Sequence, residues 1–185
     1  MMGGAPSGTM VEKLSLAAGS MVHIYRFLAL SMRYPEGGWL NDQYLIWLFG
    51  LLAGAGLRKE VAALHRRLAC GSWLEELQEE HALLFINGLT CCTPAPPSGH
   101  PSEPALAREK DAGLATPEKS GILERELELL ALLYEAGEGE DLENYLGGHF
   151  RPWFGAIKIQ VEKEASHPFY PTVMKLIEYF TREEN

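Results

Sequence analysis

The sequence is short of several things, and each shortage excludes a class of protein. It has three cysteines, Cys70, Cys91 and Cys92, and no C-x-x-C pair. Neither a disulfide framework nor a zinc ribbon is written in it, and a reducing, cytoplasmic setting is expected. Basic residues are in deficit, 16 Lys and Arg against 25 Asp and Glu, for a net charge of -9. Such a charge repels phosphate backbones, so nucleic acid is not an expected partner. A strongly apolar uncharged stretch, Gln43 to Leu57, has 15 residues and is interrupted by three glycines. A membrane span needs roughly 20 residues, so this stretch is expected to be a buried core helix. Residues 1–12 show no basic segment followed by an apolar run. They are expected to be a frayed end rather than a secretory signal. There is no alternating strand pattern, internal repeat, Gly-rich phosphate loop, nucleophile elbow or H-E-x-x-H, and each absence removes a common catalytic reading.

What is present is one domain's worth of chain: 185 residues, 46% hydrophobic and 22% charged, close to the globular average. Between Leu14 and Arg33, apolar residues Leu14, Ala17, Met21, Ile24, Tyr25, Leu28 and Met32 recur at three and four, one face of a helix. Tyr34-Pro35-Glu36-Gly37-Gly38 stops it. Further helices are expected at about 40–52, 58–69, 72–87, 118–136, 142–165 and 171–182, the sixth weakened near Gly147-Gly148 and Pro152. Ser72-Trp73-Leu74-Glu75 has the form of a capping box opening the fourth. Residues 88–117 contain six of the eleven prolines and no apolar period, and read as one long Pro-rich loop. The fold class is therefore all-α: a single-domain bundle of about seven helices, residues 13–185, with one long loop.

Two helices carry candidate chemistry. On the wheel of 118–136, Glu126 falls between the stripe of Leu123, Leu127, Leu130 and Tyr134 and the stripe of Ile122, Leu129 and Leu133. A carboxylate there is expected to be buried and tied to a neighbouring helix, with Arg26 as one candidate partner. In the fourth helix, His81 lies among Trp73, Leu74, Leu77, Leu84 and Phe85, with Glu80 at the edge of that face. A lone His on an apolar stripe is expected to be a hydrogen-bonded core residue. Two rival readings use the thiols: a metal site from His81, Cys91, Cys92 and His100, or catalytic Cys91 or Cys92 with His81 or His100 as base. No Lys or Arg lies between Glu75 and Pro104 to lower a thiol pKa, so neither metal, cofactor nor catalysis is the expectation. Residues 101–145 hold 12 acids and 4 bases, negative charge that suits a basic, apolar partner.

Several segments together resemble a family. Glu80-His81-Ala82-Leu83-Leu84-Phe85, followed by Pro94-Ala95-Pro96-Pro97, is similar to the E-Y-x-x-L-F segment and proline-rich loop of the TorD/DmsD/NarJ-type chaperones. Tyr25 to Ala29 with Tyr34-Pro35, Glu126-Leu127-Glu128-Leu129-Leu130, His149-Phe150-x-x-Trp153 and Phe169-Tyr170 resemble that family's other signatures in order. The resemblance spans about residues 20–180. It implies an all-helical cytoplasmic protein, without catalysis or cofactor, that binds the twin-arginine signal peptide or the apo catalytic subunit of a molybdopterin-containing oxidoreductase. The peptide-binding residues it implies are Glu80, His81, Leu84, Phe85, Pro94, Pro96, Pro97 and Glu126, between the fourth helix, the proline segment and the helix of Glu126. The rival of another class is a small helical-bundle hydrolase or metal-dependent enzyme using Cys91, Cys92 and histidines. The oligomeric state is not written in the sequence.

Overall fold

A computed structural model describes residues 10–69, 71–88, 122–137 and 139–182. The chain is all-α, and no strand occurs among the described residues. Helix α1 spans Met10–Ser31, α2 Asp42–Gly54, α3 Arg58–Leu68 and α4 Trp73–His81, which continues as a π-helical segment, Ala82–Gly88. Helix α5 spans Ile122–Ala136 and α6 Gly139–Tyr145. A second π segment, Leu146–Phe150, runs from α6 straight into α7, Arg151–Glu164, and α8 is Phe169–Thr181. Counting continuous rods, seven helices are described. The first starts four residues before the expected Leu14, because nothing in Val11-Glu12-Lys13 breaks it. The expected frayed end is thereby shortened, and residues 1–9 lie outside the described residues, as does nearly all of the proline-rich segment. The expected weak point at Gly147-Gly148 and Pro152 interrupts nothing. The glycines sit in the wide π turn and Pro152 is the second residue of α7, and the rod passes through both without a break.

Helix α8 is the centre of the bundle. Phe169, Tyr170, Val173, Met174, Leu176 and Ile177 are all fully buried, so its apolar surface runs well round the axis, as befits a core helix. Against it lies α1, whose buried Tyr25 donates to the Phe180 carbonyl at 2.7 Å. The most extensive packing joins α1 to α5, with Tyr25 and Tyr134 rings 5.2 Å apart. The same pair is tied at its rim by Arg26 to Glu135 and by Arg33 to both Glu124 and Glu128. One core contains residues from every rod.

Helix ends test the local reading. Asn41, whose backbone is extended, accepts the Tyr44 amide at 3.1 Å and caps α2. At the other end Gly56, at φ 75°, lets the Leu57 amide reach Leu52 O and its own amide reach Ala53 O, a Schellman stop open to glycine at no steric cost. The expected capping box at Ser72 does not form. Ser72 adopts φ -105°, ψ 13°, and its hydroxyl donates to Glu76 at 2.9 Å instead. With a backbone that is not extended, Oγ is not aimed at the amide two or three residues on. Asn41→Ala should therefore cost about 1 kcal/mol and Ser72→Ala only a few tenths, measured by urea unfolding. Equal losses would contradict this assignment of the caps.

Candidate functional site

The end of α1 is the hinge on which the candidate residues hang. Its last turn unwinds into Tyr34-Pro35, and the carbonyls freed there are taken up by α4: Gln78 Nε2 donates to Pro35 O at 2.8 Å and His81 Nε2 to Met32 O at 3.1 Å. His81 is buried and neutral, held below the usual imidazole range by burial, which outweighs its bond to Met32. It is the hydrogen-bonded core histidine expected of its place on the apolar stripe. Tyr34 stands edge-on to its ring at 5.5 Å, with Phe85 at 5.2 Å and Tyr170 at 5.9 Å.

Glu80 is not at the edge of the helix face. It is 5% exposed, and its Oε1 accepts Ser166 N at 2.5 Å, Ser166 Oγ at 2.8 Å and His167 N at 2.7 Å. These groups lead into α8, so Glu80 places a carboxylate before a helix N-terminus, where the dipole favours negative charge. His167 completes the turn: its Nδ1 accepts the Phe169 amide at 3.2 Å. Burial, with Arg67 nearby, lowers the His167 pKa to about 4, against a raising effect of Glu76. The Tyr170 hydroxyl is raised above its ordinary value by burial first and then by the charge of Glu80. Sequence reasoning missed the Glu80 clamp because its partners lie 86 and 87 residues away.

The structure divides the sequence-derived set. Glu80, His81 and Leu84 are buried, and Phe85 is half-buried against Tyr170. Glu126 lies on α5, away from them, and is only half-buried. It accepts a hydrogen bond from Tyr145 at the end of α6. The tie to a neighbouring helix is present, but the expectation that Glu126 is largely buried is corrected to half-buried: the buried carboxylate of α5 is Glu124, held by Arg33 at 2.5 Å. Helix α5 packs against both α1 and α6, and Glu126 is met by Tyr145 of α6 rather than enclosed by the core. Arg26, the candidate partner, pairs with Glu135 instead. Pro94, Pro96, Pro97, Cys91, Cys92 and His100 lie outside the described residues. Among the described residues no three His, Cys, Asp or Glu side chains group as metal ligands would.

A surface feature of the same helix was overlooked. Glu75 and Glu79 on α4 and Leu83 and Ile86 on its π-helical continuation are all exposed, so the outward stripe along this rod runs from acidic to aliphatic. Leu83 is 67% and Ile86 56% exposed, unusual for two large aliphatic side chains three residues apart. The stripe has two carboxylates at one end and two aliphatic side chains at the other, beside half-buried Phe85. The acidic and aliphatic residues were legible in the sequence, but only the fold shows which face of α4 no other described helix covers. Compared with family models, curated proteins and solved structures, the chain matches none.

Proposed function

We propose that the protein is a cytoplasmic maturation chaperone of the TorD/DmsD/NarJ type. In this reading it holds the twin-arginine signal peptide, or the apo catalytic subunit, of a molybdopterin-containing oxidoreductase and performs no catalysis. The observation that carries the reading is the stripe Glu75, Glu79, Leu83, Ile86 on α4. A signal peptide is basic at its start and apolar after it, and the stripe has the complementary order, acidic then apolar. A second support is that three of the segments carrying the family resemblance meet: Tyr34, His81, Phe85 and Tyr170 share one aromatic cluster, and Glu80 ties α4 to the approach to Phe169-Tyr170. The buried members, Glu80, His81 and Leu84, then act as the frame that fixes the helix, while Leu83, Ile86 and the accessible edge of Phe85 make contact.

Apolar burial supplies most of the affinity and the arginines add charge-assisted contacts to Glu75 and Glu79. Calorimetry with the twin-arginine signal peptide of a genomically neighbouring molybdoenzyme is the direct test. Leu83→Ser with Ile86→Ser should weaken binding at least tenfold. Glu75→Gln with Glu79→Gln should weaken it about two- to fivefold, an effect that fades at high salt because exposed charges are screened. Replacing the peptide's apolar stretch with serines should cost more than replacing its arginines with glutamines. No heat and no competition at high micromolar peptide would overturn the signal-peptide reading.

A further inference from the structure

The α2 and α3 hairpin carries a surface that neither the bundle core nor the α4 stripe uses. On α2, Ile46 is 65% and Trp47 56% exposed, and the rest of that arc is Gln43, Gly50, Ala53 and Gly54, all exposed and uncharged. Beyond Asp42 at its start, α2 contains no charged residue. On α3 the balance reverses: four Lys and Arg stand against one acid, Glu60, and that acid is turned to Lys175 at 2.7 Å. Arg58 and Lys59 are exposed and enter no ion pair within 4 Å among the described residues. Arg67 is paired with Glu76. Phe49 of α2 stacks on His65 of α3 with centroids 4.1 Å apart, and that seam joins the apolar arc to the basic one. In a chain of net charge -9, this hairpin is a local excess of positive charge set beside protruding apolar side chains.

We infer that this face docks on an anionic lipid surface, with Trp47 and Ile46 entering the headgroup boundary and Arg58 and Lys59 meeting lipid phosphates. The complementarity is one of charge: α3 carries four Lys and Arg against one acid in a chain of net charge -9. The shape favours lipid over a protein groove-binder. Trp47 and Ile46 stand out beside exposed Gln43, Gly50, Ala53 and Gly54, small or polar neighbours that among the described residues build no deep groove, and a fluid bilayer needs none. Tryptophan at the interface level and basic residues beside it are the usual composition of such a face. Docking is peripheral, because no helix among the described residues is long and apolar enough to cross a membrane. The inference does not depend on the chaperone reading.

The test is co-sedimentation of the full chain with sucrose-loaded vesicles of phosphatidylcholine containing about 30% phosphatidylglycerol, at low and physiological salt. Binding is expected to the anionic vesicles, much weaker to pure phosphatidylcholine, and reduced by salt. Trp47→Ser with Ile46→Ser should lower it at least tenfold. Each of Arg58→Gln and Lys59→Gln should lower it about fivefold. All four side chains are exposed, so unchanged circular dichroism and melting are expected alongside. No binding to anionic vesicles at millimolar lipid would overturn the inference. So would equal binding by the Trp47 and Ile46 variant, or a dimer in sedimentation equilibrium that this variant dissolves while vesicles bind nothing. The last result would assign the face to a second copy of the chain.

Discussion

Glu80→Ala is expected to destabilise the protein by about 3 kcal/mol, because it removes the acceptor of three hydrogen bonds at once. Hydrogen bonds to a charged group contribute about 1.5–3 kcal/mol each, less what is recovered by no longer burying the charge. The His167 amide is buried and loses the acceptor it has at 2.7 Å, whereas Ser166 is exposed and regains water. For a chain of this length the loss corresponds to a fall in Tm of about 6–12 °C. Glu80→Gln keeps one acceptor oxygen and should cost only about 1 kcal/mol. The comparison separates the clamp from simple loss of volume. Equal Tm for wild type and Glu80→Ala would show that the turn from Ala165 to Pro168 holds without it. The clamp fixes α4, so under the chaperone proposal Glu80→Ala should also weaken binding of the signal peptide although Glu80 faces inward.

Acid is expected to unfold the protein earlier than its carboxylates alone would dictate. His167 is buried and its pKa is lowered to about 4, while in the unfolded chain it titrates near 6.5. Between those values the unfolded state binds a proton that the folded state refuses, so stability falls as pH falls through this window and levels off below 4. From pH 7 to 4.5 the loss through His167 is about 2–3 kcal/mol. His81, shifted in the same direction, adds to it. Glu60, lowered by its hydrogen bond to Lys175, loses its contribution only at more acidic pH, as it is protonated. His167→Asn offers a neutral oxygen to the Phe169 amide and cannot titrate. Urea midpoints for this variant should change less between pH 7 and 4.5 than those of the wild type. Parallel curves for the two proteins would remove His167 as the source.

How much was legible in the residues varies with the range of the interaction concerned. The α1 helix follows from its three-and-four apolar spacing, and its end follows from Tyr34-Pro35 and the glycines after it. The stop after α5 follows from Gly137, which sits at φ 71°. These are local decisions, made within a few residues by sterics and side-chain periodicity. The Ser72 box shows the limit of a local motif, since the S-x-x-E letters were present while the backbone angle at Ser72 was set by the chain around it. The wheel of α5 failed in a related way. It placed Glu126 toward the core, but a wheel has no knowledge of how many neighbours a helix has or where their gaps fall.

By itself the sequence determined the class of the molecule: all-α, with helices near the observed positions and no apolar run long enough to span a membrane. Periodicity, helix stops and charge are properties of neighbouring residues and need no fold to be read. Only the tertiary structure decided which carboxylates are inside and which faces are outside. Glu80 and Glu124 are buried because Ser166, His167 and Arg33, between 86 and 91 residues distant in sequence, arrive to satisfy them. Leu83, Ile86, Ile46 and Trp47 are exposed because no other described helix covers those arcs. Burial of a charge and exposure of an apolar side chain both depend on what packs alongside, and that is a property of the whole fold.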